Sequence, residues 1–174
     1  MRADNVILVG FMGAGKSTVG RLLARRLGRC FVETDDMITA QEGCSIPEIF
    51  ATKGEAYFRE REAELLNLLE LKGGNVIATG GGFPCYPGRM ETLKALGTVI
   101  WLAGDFEALY GRAERAGTRP MLDGKTKAEA RALYRERLPS YRRTHLTVDA
   151  GQLGVDQVVA RILALLSRRE RSST

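Results

Sequence analysis

The sequence predicts an α/β domain built on a parallel sheet, and three observations predict it. Short apolar runs alternate with amphipathic stretches along all 174 residues. Several of these runs, Val6-Ile7-Leu8-Val9 first among them, are continuously apolar, as strands covered on both faces require. That first run leads directly into Gly10-Phe11-Met12-Gly13-Ala14-Gly15-Lys16-Ser17-Thr18, a G-x-x-x-x-G-K-[ST] loop of the kind that joins a strand to a helix.

Taken in order, the first strand is placed at Asn5–Val9. Its helix follows the loop, where Val19, Leu22, Leu23 and Leu27 share a face and Gly28 is placed to end the helix. Four more strands are expected at residues 30–33, 75–79, 98–102 and 145–148, giving a five-stranded sheet. Further helices are expected over 35–42, 46–52, 55–71, 87–96, 105–116, 127–141 and 155–168. Residues 115–125, with Gly117, Pro120 and Gly124 among charges, break the rhythm and are expected to form a mobile loop. No repeat or low-complexity linker divides the chain, so residues 1–174 are expected to form one domain.

Apolar residues make up 44% of the chain, enough for a core, and no run approaches the length of a membrane-spanning helix. The first apolar run is too short for a secretory signal and passes straight into the glycine-rich loop. Cys30, Cys44 and Cys85 are odd in number and lack C-x-x-C spacing. That argues against a disulfide framework or zinc site and for a reducing cytoplasm. The formal net charge is +5 with a pI near 9.3, much of the excess lying in residues 112–119 and 167–171. No aromatic-plus-basic stacking platform accompanies it, and anionic small molecules explain the balance as well as nucleic acid does.

The glycine-rich loop points to a nucleotide phosphate. Its backbone can curl so that successive N–H groups, Gly13 to Thr18, face an anion, completed by the N-terminus of the next helix. Lys16 adds a cation at the β- and γ-phosphates, and the Ser17 hydroxyl can ligate Mg²⁺.

Other polar clusters decide what such a loop serves. The second strand ends in Glu33-Thr34-Asp35-Asp36. From spacing alone these carboxylates suit two roles: work on Mg²⁺ and an acceptor hydroxyl, or stabilisation of a helix N-terminus. The third strand ends in Thr79-Gly80-Gly81-Gly82, which either admits a ligand close to the backbone or forms a flexible turn. Arg59 has Glu55, Glu60, Glu62 and Glu64 nearby, so it reads as part of a surface ion-pair face or, with Arg137, as a carboxylate clamp. Residues 112–122, carrying Arg112 and Arg119, read as a lid over a nucleotide or as an exposed charged loop. His145, without a partner at ligand or triad spacing, reads as structural.

Together these pieces resemble the shikimate kinase family nearly end to end. Gly10 to Gly20 is similar to its phosphate loop, Glu33-Thr34-Asp35 to its D-x-D strand end, and Gly54-Glu55-Ala56-Tyr57-Phe58-Arg59 to its G-E-x-x-F-R helix. Ala78 to Gly82 is similar to its glycine triplet, Arg119-Pro120-Met121-Leu122 to its R-P-L-L lid, and Arg137 to the arginine before a short L/P-x-Y stretch.

The resemblance implies a three-layer α/β/α P-loop kinase fold with a mobile lid at about 112–125 and a substrate-binding segment at about 34–62. It implies phosphoryl transfer from ATP, with Mg²⁺, to the 3-hydroxyl of shikimate, by a cytoplasmic monomer. On it, Asp35 orients the acceptor hydroxyl, Arg59 and Arg137 clamp the substrate carboxylate, and Gly80, Gly81 and Gly82 line the shikimate pocket. Lys16 and Arg119 stabilise phosphoryl charge, Gly13, Ala14, Gly15 and Thr18 complete the phosphate cradle, and Ser17 and Glu33 serve Mg²⁺. Arg112 lies along the adenine, and Val155 stands where many members place a proline against it. Glu33 departs from the usual Asp by one methylene. Gluconate kinase, with the same loop and a carboxylate-bearing polyol acceptor, is the alternative enzyme. A P-loop switch or nucleic-acid-associated ATPase is the alternative from another class.

Overall fold

In the computed structural model, which describes residues 4–70, 73–117 and 124–172, strands and helices alternate as the apolar runs require. The elements are β1 (Asn5–Val9), α1 (Lys16–Leu27), β2 (Phe31–Glu33), α2 (Thr34–Glu42), α3 (Ile46–Glu70), β3 (Val76–Ala78), a 3-10 turn (Phe83–Cys85), α4 (Arg89–Leu96), β4 (Gly97–Ala103), α5 (Phe106–Arg115), α6 (Lys127–Tyr141), β5 (Leu146–Asp149) and α7 (Val155–Ser172). The five strands pair in parallel in the order β2-β3-β1-β4-β5. β1 is buried along its whole length, and its partners Val76, Ile77, Val99 and Ile100 are equally sealed.

The chain leaves β1 toward β2 on one side and leaves β3 toward β4 on the other. Since such crossovers are right-handed, α1 and α4 fall on opposite faces of the sheet, giving three layers. Between the C-terminal ends of β1 and β3 the winding reverses, which is where open α/β sheets bind ligands. α1 packs beside α7, and Tyr141 of α6 stacks on Trp101 of β4 with ring centroids 5.9 Å apart.

Local chemistry sets the element ends. Gly28 closes α1 in a left-handed conformation (φ 64°), returning backbone N–H groups to the last turn. Asp105 caps α5 by accepting from Ala108 N at 3.0 Å, and Thr126 with Glu129 forms a capping box on α6. The two helices expected at 46–52 and 55–71 run on as α3 through a kink at Gly54, whose φ of 82° and ψ of 170° break the helical path. α4 starts two residues later than expected, because the 3-10 turn and Gly88 (φ 77°) precede it. Of the expected lid, residues 112–115 belong to α5, and Arg119 lies outside the described residues. No helix among the described residues is long and apolar enough to cross a membrane.

Candidate active site

The phosphate loop is held tightly from behind. Gly13 (φ 75°) packs so close to α5 that a Cβ there would stand 2.0 Å from Leu109 O. Gly15 (φ 83°) is the N-cap of α1, and no side chain among the described residues caps that helix. Its first-turn N–H groups are therefore available to an anion. Ala14 is buried, and its N–H is spent inside the loop on Phe11 O at 3.2 Å. Lys16 Nζ donates to Gly10 O at 2.8 Å and Phe11 O at 3.3 Å. Burial pulls the Lys16 ammonium down to about 8, with Asp35 acting against that pull and Arg137 adding to it.

The end of β2 and the start of α2 bring Glu33 and Asp35 to the same opening. The Ser17 hydroxyl donates to Glu33 Oε1, and Arg21 Nη2 meets Glu33 Oε2 at 3.3 Å. A hydroxyl and a carboxylate side by side, at the head of the helix that faces phosphate, are hard oxygen donors of the kind Mg²⁺ takes in ones and twos beside substrate oxygens. No cluster of three or more His, Cys, Asp or Glu able to hold a metal occurs among the described residues. The Ser17 hydroxyl and the Glu33 carboxylate fit Mg²⁺ as a donor pair.

Asp35 sits in the first turn of α2. Its Oδ1 is buried and has no hydrogen-bond partner among the described residues. Burial pushes its carboxyl up to about 6, Glu62 pushes the same way, and Lys16 opposes them. Beneath it, Gly80 N donates to Thr34 Oγ1 at 3.1 Å, tying the glycine triplet to the start of α2.

The triplet lets charged groups converge. A Cβ on Gly81 would lie 3.0 Å from Arg137 Nη1, and one on Gly82 would lie 2.8 Å from Arg59 Nη2 and 3.0 Å from Arg137 Nη2. Tyr141 Oη, kept protonated by burial, donates to Gly81 O at 2.7 Å and fixes the triplet from below. Arg59 is 7% exposed and Arg137 is 6% exposed, so neither stands on a solvated face. The surface ion-pair reading of Arg59 is corrected: its partners Glu62 (2.8 Å) and Glu55 (3.1 Å) are present, but the guanidinium is buried with fully buried Glu62.

A cleft of about 970 Å³ joins these parts, lined among others by Gly13, Gly15, Lys16, Ser17, Thr18, Glu33, Asp35, Gly80, Gly81, Arg112 and Arg137. Arg112 Nη2 donates to Gly151 O at 2.7 Å at its far end. Ala14, Arg59, Gly82 and Val155 lie outside that lining. Val155 opens α7 and packs on the core. Ring nitrogen Nδ1 of His145 accepts from Val99 N at 3.1 Å, a structural bond between neighbouring strands. Sequence reasoning passed over Arg89, Tyr141, and Ile46 and Pro47 in the cleft wall. From the sequence Glu62 reads only as a surface partner: its i+3 spacing from Arg59 signals the pair but not its burial.

The shikimate kinase family's sequence pattern matches residues 12–167. A shikimate kinase of Symbiobacterium thermophilum is 43% identical over 169 residues, covering 95% of this chain and 97% of its own. One of Desulforudis audaxviator is 42% identical over 165 residues, covering 95% and 87%. Shikimate kinase from Acinetobacter baumannii in complex with shikimate superposes with a TM-score of 0.89 at 39% identity, over 95% of this chain and 94% of the other. Matched by that pattern over residues 12–167 and by relatives above 40% identity over 95% of its length, the chain belongs to the shikimate kinase family.

Proposed function

We propose that this chain transfers the γ-phosphoryl group of ATP to the 3-hydroxyl of shikimate, giving shikimate 3-phosphate and ADP on the route to the aromatic amino acids. The observation that carries this reading is Asp35 Oδ1, a buried acceptor with no partner among the described residues, in the cleft that also holds Lys16. A hydroxyl supplies the missing donor. Asp35 orients it and takes its proton as the new O–P bond forms and the bond from phosphorus to the leaving ADP oxygen breaks. A carboxyl near 6 is ionised at neutral pH yet basic enough for that task.

Arg59 and Arg137 grip the acceptor carboxylate as a pair of forks beside Gly81 and Gly82. Gly13 and Gly15 to Thr18 hold the phosphates by backbone N–H groups, Ala14 closing the loop on Phe11 O, with Lys16 and Arg119 offsetting their charge. Ser17 and Glu33 would hold Mg²⁺, which when bound would neutralise phosphate charge. Arg112 and Val155 flank the adenine. The reading includes one catalytic domain, acting as a cytoplasmic monomer on small anions.

Phosphorus NMR tests it. ATP with shikimate should yield one new phosphomonoester resonance in step with ADP. Conversion of ATP to ADP and inorganic phosphate alone would contradict a transferase.

A further inference from the structure

Arg89 opens α4, 30 residues beyond Arg59, and lies outside the cleft lining. The reaction outlined above does not use it. It is 7% exposed, a burial that an arginine tolerates when its donors are met. Nη1 donates to Glu62 Oε2 at 2.7 Å, and Nη2 donates to the backbone carbonyl of Arg59. The same Glu62 Oε2 accepts from Arg59 Nη1 at 2.8 Å. One carboxylate oxygen is thus shared by two guanidinium groups, and one of those groups also grips the other residue's backbone.

The rings around them repeat this arrangement. Arg89 Cζ lies 5.2 Å from the Tyr86 ring centroid and 5.1 Å from that of Phe83, while Arg59 Cζ lies 5.3 Å from the same Tyr86 ring. Arg89 therefore ties the segment after the glycine triplet to α3 at the turn that carries Arg59. That tie matters because Arg59 converges with Arg137, a like charge, at Gly82. Without a second anchor on Glu62, the Arg59 fork would turn away from that neighbour between acceptor visits.

We infer that Arg89 is a positioning residue for acceptor binding. It holds Glu62 and the Arg59 backbone so that the Arg59 fork is aimed before the acceptor carboxylate arrives. Its influence passes entirely through Arg59 and Glu62. The inference rests on the acceptor reading given under Proposed function.

Two variants and two readouts test it. Arg89→Met keeps an apolar stem against Phe83 and Tyr86 but removes both donated bonds. Arg89→Lys keeps a cation on Glu62 without the fork that also reaches the Arg59 carbonyl. Arg89→Met should raise the shikimate KM about tenfold while the ATP KM stays within about twofold, and Arg89→Lys should fall between it and the parent. In parallel, the Arg59 Nε–Hε NMR resonance should be sharp in the parent and broadened or shifted in Arg89→Met. A shikimate KM within about twofold of the parent, with the Arg59 resonance unmoved, overturns the inference. If Arg89→Met does not fold, Arg89→Lys decides by the same two readouts. A parent enzyme that does not turn over shikimate overturns the acceptor reading instead, and the Arg59 resonance alone then decides the positioning role.

Discussion

Asp35 Oδ1 reaches so near Gly80 that a Cβ on that glycine would stand 2.8 Å from it. Gly80 is not among the glycines with positive φ, so its backbone accepts an alanine and the carboxylate has to move. Gly80→Ala should lower kcat by up to about 100-fold, the cost of a misplaced orienting group, with the ATP KM and melting temperature little changed. Steady-state kinetics with a thermal melt checks this. Unchanged kcat would mean that the position of Asp35 is not critical.

Asp35→Asn should move activity and stability in opposite directions. Loss of the base should cut kcat roughly 100-fold or more. The folded carboxyl, pushed up to about 6 from 3.8, holds its proton more tightly than the unfolded chain does. Its contribution to stability is therefore greatest below about pH 4 and is lost as pH rises through 6. Asparagine escapes that loss, so at neutral pH the variant should be more stable than the parent, by at most about 3 kcal/mol, and melt higher. At pH 4 the two should melt alike. For the parent, kcat/KM should fall as pH drops below about 6.

Nucleotide binding should take up a proton near pH 8. Burial holds Lys16 near 8, so about half of the free enzyme carries a neutral amine there. A bound phosphate favours the ammonium and raises that value again. Titration calorimetry at pH 8 in two buffers of different ionisation enthalpy should give unequal binding heats, converging at about pH 6.5 and below. Equal heats at pH 8 would contradict a desolvated Lys16.

Arg59→Lys keeps the charge and loses the fork. The shikimate KM should rise by roughly tenfold or more, with the ATP KM nearly intact. An unchanged shikimate KM would remove Arg59 from the acceptor site.

The parts legible in the sequence are those whose physics is local. β1 and the glycine-rich loop announce themselves through a continuous apolar run followed by residues with one conformational purpose, and Gly28 ends α1 where its left-handed φ is needed. The hidden parts depend on distant neighbours. Nothing in Arg59-Glu60-Arg61-Glu62 says that Arg59 and Glu62 turn inward, because the kink at Gly54 and the packing of α3 on α4 decide that. Arg89 carries no sequence signal at all, since its partners lie 27 and 30 residues away. The late start of α4 follows from the turn at Gly88, which a helical pattern read from 87 onward does not register.

Acceptor selectivity tests the central claim most directly. ADP release would be followed with ATP and, in turn, shikimate, gluconate and nucleoside monophosphates as acceptors, comparing kcat/KM. The account predicts saturable turnover with shikimate and background rates with the others. Turnover with gluconate but not shikimate, or ADP release indifferent to any acceptor, would contradict it.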